Sequence, residues 1–270
     1  MSRPTPGPAA RRWASELAAW VIDPAILAAA PESPYLLPPG QFRPAARGAY
    51  DTGPDLAREL ALQALPVGGT VLDVGCGAGA AGLALTPQAG SVTGVDEQAD
   101  MLEAFRTEAS ARGVTARTVR GRWPDVAADV PVADVVVSHH VLYNVSDLVP
   151  FVRAMDAHAR HRVVVEIGDR HPWAGVGPLW QRAHGQPRPD GPSAQLAAQV
   201  IAEAGFDVRL QRTRRPGQSQ PWSERVASMR RRLCLPVADE PLVEGWMREL
   251  GMDREGSDRE VAVLSWEPVR

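Results

Sequence analysis

The chain has 270 residues and a formal net charge of −3, enough length for one large core and no basic excess that would call for a nucleic-acid or membrane partner. Every one of its 29 Lys+Arg residues is an arginine, which excludes Schiff-base catalysis and lysine-dependent phosphate loops. Two cysteines, Cys76 and Cys234, are too few for a disulfide framework, and no apolar run approaches the ~18 residues of a membrane span, so a reduced, cytoplasmic setting is expected.

In chain order, residues 1–10 are proline-rich and lack the apolar stretch of a secretory signal. Residues 11–22 place Trp13, Leu17 and Trp20 at helical spacing before Pro24 interrupts. Residues 31–44 read as a proline-rich linker or extended arm. A helix is expected at 55–65, a strand at 71–74, and the start of a helix at 80–85. Further strands fall at 92–95, 116–119, 134–137 and 162–167, with helices at 99–112 and 147–159 between them. Such alternation predicts a doubly wound, mostly parallel sheet. Beyond it, helices are expected at 193–204, 222–233 and 240–250, and strands at 208–211 and 260–266.

Within this pattern, Thr70-Val71-Leu72-Asp73-Val74-Gly75-Cys76-Gly77-Ala78-Gly79 is an apolar strand with one carboxylate that runs into three alternate glycines. Glycines there let the backbone adopt positive φ and approach a ligand. About twenty residues on, Ser91-Val92-Thr93-Gly94-Val95-Asp96 ends a second strand on an acid, the arrangement that grips a nucleoside. Gly77-x-Gly79-x-x-Gly82 also satisfies the dinucleotide fingerprint, but Asp73 beside the turn would repel a pyrophosphate and suit a cation.

The Asp-x-Gly-x-Gly-x-Gly segment resembles motif I of the class I S-adenosylmethionine methyltransferases, over roughly residues 51–167. The resemblance implies an α/β fold with a seven-stranded, mostly parallel, Rossmann-like sheet, and S-adenosylmethionine as cofactor. It implies a cofactor site of Asp73, Gly75, Cys76, Gly77, Gly79, Asp96, Glu97, Met101, Arg122, Trp123 and Ser138. Asp96 would hold the ribose hydroxyls. Many relatives carry a carboxylate beyond strand three where this chain has Arg122 and Trp123, so adenine falls to stacking on Trp123 or to Asp125. Residues 1–50 would form an N-terminal arm and residues 51–270 the methyltransferase domain. Family members pair their last two strands; here about fifty residues would separate them, and 212–257 reads as an inserted helical pair.

Val137-Ser138-His139-His140-Val141-Leu142-Tyr143-Asn144 lies at the end of strand four, on the edge where ligands bind in open α/β sheets. If the strand continues, His139 and His140 point to opposite sides. Residues 168–192, with Trp173, Trp180, His171 and His184, read as a substrate-facing lid, or alternatively as a surface helix whose tryptophans pack. His139, His140 and His171 are the candidate general bases, and Tyr143, Trp173 and Trp180 the candidate substrate contacts. No metal set is expected. The arginine groups at 212–215 and 230–232 read as solvated faces, which leaves a small-molecule methyl acceptor favoured over nucleic acid. Without Asn-Pro-Pro-Tyr or Asp-Pro-Pro-Tyr after strand four, and without a cysteine there, methylation of adenine amino groups and of cytosine C5 is disfavoured. O-, N- or C-methylation of a small molecule remains, with a nicotinamide-dependent oxidoreductase and a non-catalytic binding protein as alternatives.

Overall fold

A computed structural model describes residues 6–35, 55–215, 220–253 and 259–269. Most of the proline-rich arm lies outside the described residues. Seven strands, β1 (Gly69–Val74), β2 (Ala89–Asp96), β3 (Thr115–Arg120), β4 (Ala133–His139), β5 (Ala159–Gly168), β6 (Arg209–Arg215) and β7 (Arg259–Trp266), form one sheet in the order β3-β2-β1-β4-β5-β7-β6. Neighbours among β1 to β5 pair parallel, and β7 is antiparallel to both β5 and β6. The order turns back between β1 and β4, which puts the switch point at the carboxyl ends of those strands.

Strand side chains alternate between two buried faces. Leu72, Val74, Val136, Val163, Val165 and Leu264 share a core with helices α1 (Pro8–Ala18), α5 (Leu148–Ala157) and α7 (Ala194–Glu203). Val71, Val92, Val135, Val137, Val164 and Val263 share the other with α3 (Leu56–Ala64) and α4 (Ala99–Ala111). The β-branched runs suit strands covered on both faces. The N-terminal segment belongs to the first core through Ala9, Ala10 and Trp13.

A third apolar cluster stands apart from the sheet. It joins Ile22, which precedes α2 (Pro24–Ala29), to Leu179 and Trp180 of α6 (Gly177–His184). Val226 and Met229 of α8 (Trp222–Arg232) and Val243 and Met247 of α9 (Glu240–Glu249) complete it. The segment after β5 and the insertion between β6 and β7 therefore build one helical cap. Arg230, only 4% exposed, anchors it: its guanidinium meets Glu32 at 2.5 Å and Glu240 at 3.3 Å.

Three expectations are corrected. The N-terminal helix runs over 8–18 and a second, α2, begins at Pro24. No α-helix follows the glycine turn: residues 80–85 give only a 3-10 turn at Leu83–Leu85. Gly79 and Gly82 disfavour helix, and Thr86 before Pro87 is extended, so too few residues remain to nucleate one. Arg212–Arg215 belong to β6, so the insertion begins after them. Trp180 is 1% exposed and packs within the cap core. No helix among the described residues is long and apolar enough to cross a membrane.

Candidate active site

Gly75, Gly77 and Gly79 all take positive φ, at 70°, 50° and 94°. A Cβ on Gly75 would collide with the Val141 methyls of the β4 exit, whereas the Cβ direction of Gly77 is open. The turn is thus held at its start and open at its middle, where a ligand can approach the backbone. The amides of Gly75 and Cys76 both donate to the Val95 carbonyl, at 2.8 and 3.0 Å, and tie the turn to the end of β2. Asp96 accepts from the Gly77 amide at 2.9 Å and from the Gln98 amide at 2.9 Å. An ionised carboxylate offers about four acceptor positions, so Asp96 retains capacity for a diol.

Asp73 lies fully buried beneath this turn. Its Oδ2 accepts from the Gly82 amide at 2.7 Å, while Oδ1 is buried with no hydrogen-bond partner. Burial pushes the carboxyl up to about 7, against the lowering effect of the Gly82 bond and with a further push from the Asp96 charge. The pocket lacks one donor and one positive charge, which an ammonium group supplies and a phosphate does not. Cys76 is buried in the same turn, and burial with the Asp73 and Asp96 charges drives its thiol pKa upward, so it is no nucleophile.

Other expected cofactor residues divide by place. Glu97 and Arg122 are exposed and face each other at 3.9 Å beyond β2 and β3. Met101 is half-buried in the first turn of α4. Ser138 is buried, and its hydroxyl donates to the Val74 carbonyl at 2.8 Å, locking β4 to the end of β1. Trp123 sits in the first core, its indole N–H donating to the Phe151 carbonyl at 3.2 Å and its ring edge-on to His158. The structure therefore seats Trp123 as a packing residue and not as an open stacking platform.

β4 ends at His139, and His140 takes a left-handed φ of 60°. Such a backbone costs a non-glycine residue on the order of 1–2 kcal/mol and marks a constrained turn. The strand does not continue, so the two histidines do not diverge: their rings lie edge-on, 6.5 Å apart. Glu166 is paired in register with His139 and is 1% exposed. Its Oε1 lies 3.3 Å from His140 Nε2, and its Oε2 accepts from Arg215 Nη2 at 2.6 Å. The same Arg215 nitrogen meets Asp55 Oδ1 at 2.5 Å, and Asp55 also caps α3 by accepting from the Arg58 amide. Burial alone would raise Glu166, but the His140 bond and the His139 and Arg215 charges outweigh it and bring the carboxyl to about 2. Burial lowers His139 to about 4, which keeps it neutral at pH 7. Sequence reasoning missed Glu166, Arg215 and Asp55; the available signal was one carboxylate inside the apolar run Val163-Val164-Val165-Glu166-Ile167.

On the cap side, Tyr143 is buried, donates to the Gly168 carbonyl at 2.8 Å and stacks on Trp13 at 5.6 Å. His171 lies edge-on to Tyr143 and stacks on Trp20 at 4.1 Å. Burial, then the Arg188 charge, lowers His171 to about 4, and its Nδ1 accepts from the Trp173 amide. It is a neutral ring in an aromatic stack with Trp20 and Tyr143. Trp173 stacks on Tyr35 at 5.4 Å, with the Arg232 guanidinium 5.9 Å from its ring centre. Arg188 lies over Trp20 and Trp180 and donates to the carbonyls of Trp20 and Val21.

Residues 71–162 match the family model described as "Methyltransferase domain". No curated protein matches the chain. Among solved structures, a candidate methyltransferase from Bacillus halodurans is 15% identical with a TM-score of 0.57, covering 81% of this chain and 100% of its own. The YcgJ protein of Bacillus subtilis is 16% identical, TM-score 0.54, over 79% and 98%. Magnesium protoporphyrin IX methyltransferase from Synechocystis, solved with bound SAH, is 16% identical, TM-score 0.51, over 79% of each chain. These likenesses concern the fold. The family match over residues 71–162, the glycine turn with its two acids, and the strand order converge: this part of the chain matches a methyltransferase domain built on a Rossmann-like sheet.

Proposed function

We propose that the protein methylates a small molecule enclosed between the carboxyl edge of the sheet and the helical cap. The observation that carries this reading is Asp73, a buried carboxylate under the glycine turn with one oxygen unpartnered. S-adenosylmethionine supplies a methyl group already activated on a sulfonium. For its part the chain would answer the ammonium with Asp73 and the ribose hydroxyls with Asp96, and admit the ligand along Gly75, Cys76, Gly77 and Gly79. Glu97, Met101 and Arg122 would border the base. Ser138 fixes the β4 exit beside the turn. Alignment of the nucleophile and exclusion of water are the remaining tasks, and the cap is suited to both.

Trp173 and Tyr35 offer the acceptor an aromatic face, with Arg232 at its margin. Tyr143 stacks on Trp13 and meets His171 edge-on. Arg215 and Arg230 are engaged with internal carboxylates, which supports a small acceptor over RNA. Both cysteines are free, in keeping with a reduced cytoplasmic setting.

Calorimetric titration with S-adenosylmethionine, S-adenosylhomocysteine and NAD in parallel tests the reading. The first two should bind and NAD should not; binding of NAD alone would reverse it. Asp73→Ala and Asp96→Ala should each weaken S-adenosylmethionine binding by about 1–3 kcal/mol, as lost charge-assisted hydrogen bonds do.

A further inference from the structure

We infer that Glu166 is the positioning residue for a general base at His140, and that the methyl acceptor is a hydroxyl compound that still holds its proton at neutral pH. This rests on the methyltransferase reading above and names its acceptor class.

His140 follows β4 directly, and its neighbour Val141 packs on Gly75 of the cofactor turn, so the imidazole stands beside the place where the methyl group is delivered. Its backbone is fixed twice: the left-handed φ turns the chain, and the His140 amide donates to the Glu166 carbonyl at 2.7 Å. Its ring is fixed once more, by Glu166 Oε1 at 3.3 Å from Nε2. A carboxylate facing Nε2 selects the tautomer with the proton there and leaves Nδ1 as the basic atom. Nδ1 has no hydrogen-bond partner among the described residues, and the side chain is 46% exposed.

The charges around His140 come from every element packed there: Glu166 on β5, Arg215 on β6, Asp55 before α3 and His139 on β4. Two carboxylates face one guanidinium. The group carries one net negative charge beside the His140 ring. Burial keeps His139 neutral, so it does not compete for the incoming proton. Arg215 holds Glu166 in place from the far side, and Asp55 holds Arg215.

The cap argues for a hydroxyl over an amine. Arg232 borders the aromatic wall, Arg188 lies over Trp20 and Trp180, and neither pairs with a carboxylate among the described residues. An ammonium acceptor would meet like charge there. A thiol of ordinary acidity needs little help to lose its proton, whereas a hydroxyl does. In the step, the acceptor O–H gives its proton to Nδ1. The oxygen pair forms the O–CH3 bond while the C–S bond breaks and sulfur keeps its electrons. The imidazolium then releases the proton to water at its exposed edge.

The test is long-range 1H–15N NMR of the histidine rings, on the protein alone and with S-adenosylhomocysteine. The expected neutral His140 ring carries its proton on Nε2; a proton on Nδ1 overturns the proposal. Glu166→Met should abolish that preference, and Glu166→Gln, which keeps an acceptor, should retain it. Unchanged tautomer populations in Glu166→Met would also overturn it. The wild-type spectrum needs no variant to fold. A labelled-methyl assay over matched hydroxyl, thiol and amine compounds should show transfer to hydroxyls, reduced about 100-fold in His140→Gln. Transfer confined to thiols or amines overturns the acceptor class. Failure of S-adenosylhomocysteine to bind would instead strike the methyltransferase reading and leave the tautomer result standing.

Discussion

Asp73 titrates near 3.8 in an ordinary setting and near 7 in the folded protein, because burial disfavours its charge. The folded state therefore holds a proton that the unfolded chain has released between those values. Its stability falls as pH rises from about 4 to 7 and is flat above. Asp73→Asn removes that penalty while keeping an acceptor for Gly82. It should raise the stability of the ligand-free protein by about 1–3 kcal/mol at pH 8, and by less at pH 5, in thermal melts. The same variant should bind S-adenosylmethionine more weakly. Glu166 behaves in the opposite sense, since its carboxyl moves from 4.5 down to about 2. Its contribution is fully present above pH 4.5 and lost as pH falls toward 2. Glu166→Gln should cost about 1–3 kcal/mol at pH 7 in denaturant titrations, with the gap to wild type closing over that acid range. The two acids differ in legibility for a plain reason. Asp73 announces itself because its partners are the glycines next to it. Glu166 draws its partners from positions 55, 140 and 215, which only strand register and the α3 crossing bring together.

Among the elements, the inner strands were readable because β-branched runs buried on both faces leave a strong local pattern. Only the start of β6 was readable, up to Gln211: Arg209, Gln211, Arg212 and Arg214 line an edge strand with little apolar signal, so its extension to Arg215 came only from pairing with β7. Trp180 shows the converse problem. A tryptophan on a short helix after β5 has the same composition whether it faces a substrate or a neighbouring helix. In the structure its neighbours are α8 and α9, some fifty residues later in the chain, which local composition does not reveal. Trp180→Ala should destabilise the cap by about 3–5 kcal/mol and leave S-adenosylhomocysteine binding largely intact, a separation that calorimetry and melting together would display.

At the scale of the molecule, the cap has its own apolar cluster and is joined to the rest by α2, the segment after β5 and the Arg230 ion group. Amides of α8 and α9 should exchange with deuterium faster than those of β1 and β4, and peptide-resolved exchange would order them. Binding of an acceptor should slow the cap selectively.

The missing helix after the glycine turn carries a consequence of its own. Aligned peptide dipoles give a helix N-terminus roughly half a unit of positive charge, the feature that draws diphosphates to dinucleotide folds. Here β1 runs into a single 3-10 turn, so that macrodipole is not assembled at the turn. A diphosphate would meet neither dipole nor lysine, while the ammonium of a sulfonium amino acid would meet an uncompensated acid. Discrimination between the two nucleotide-like ligands is thus written partly into the backbone itself, and replacing Asp73 alone should not open the site to NAD.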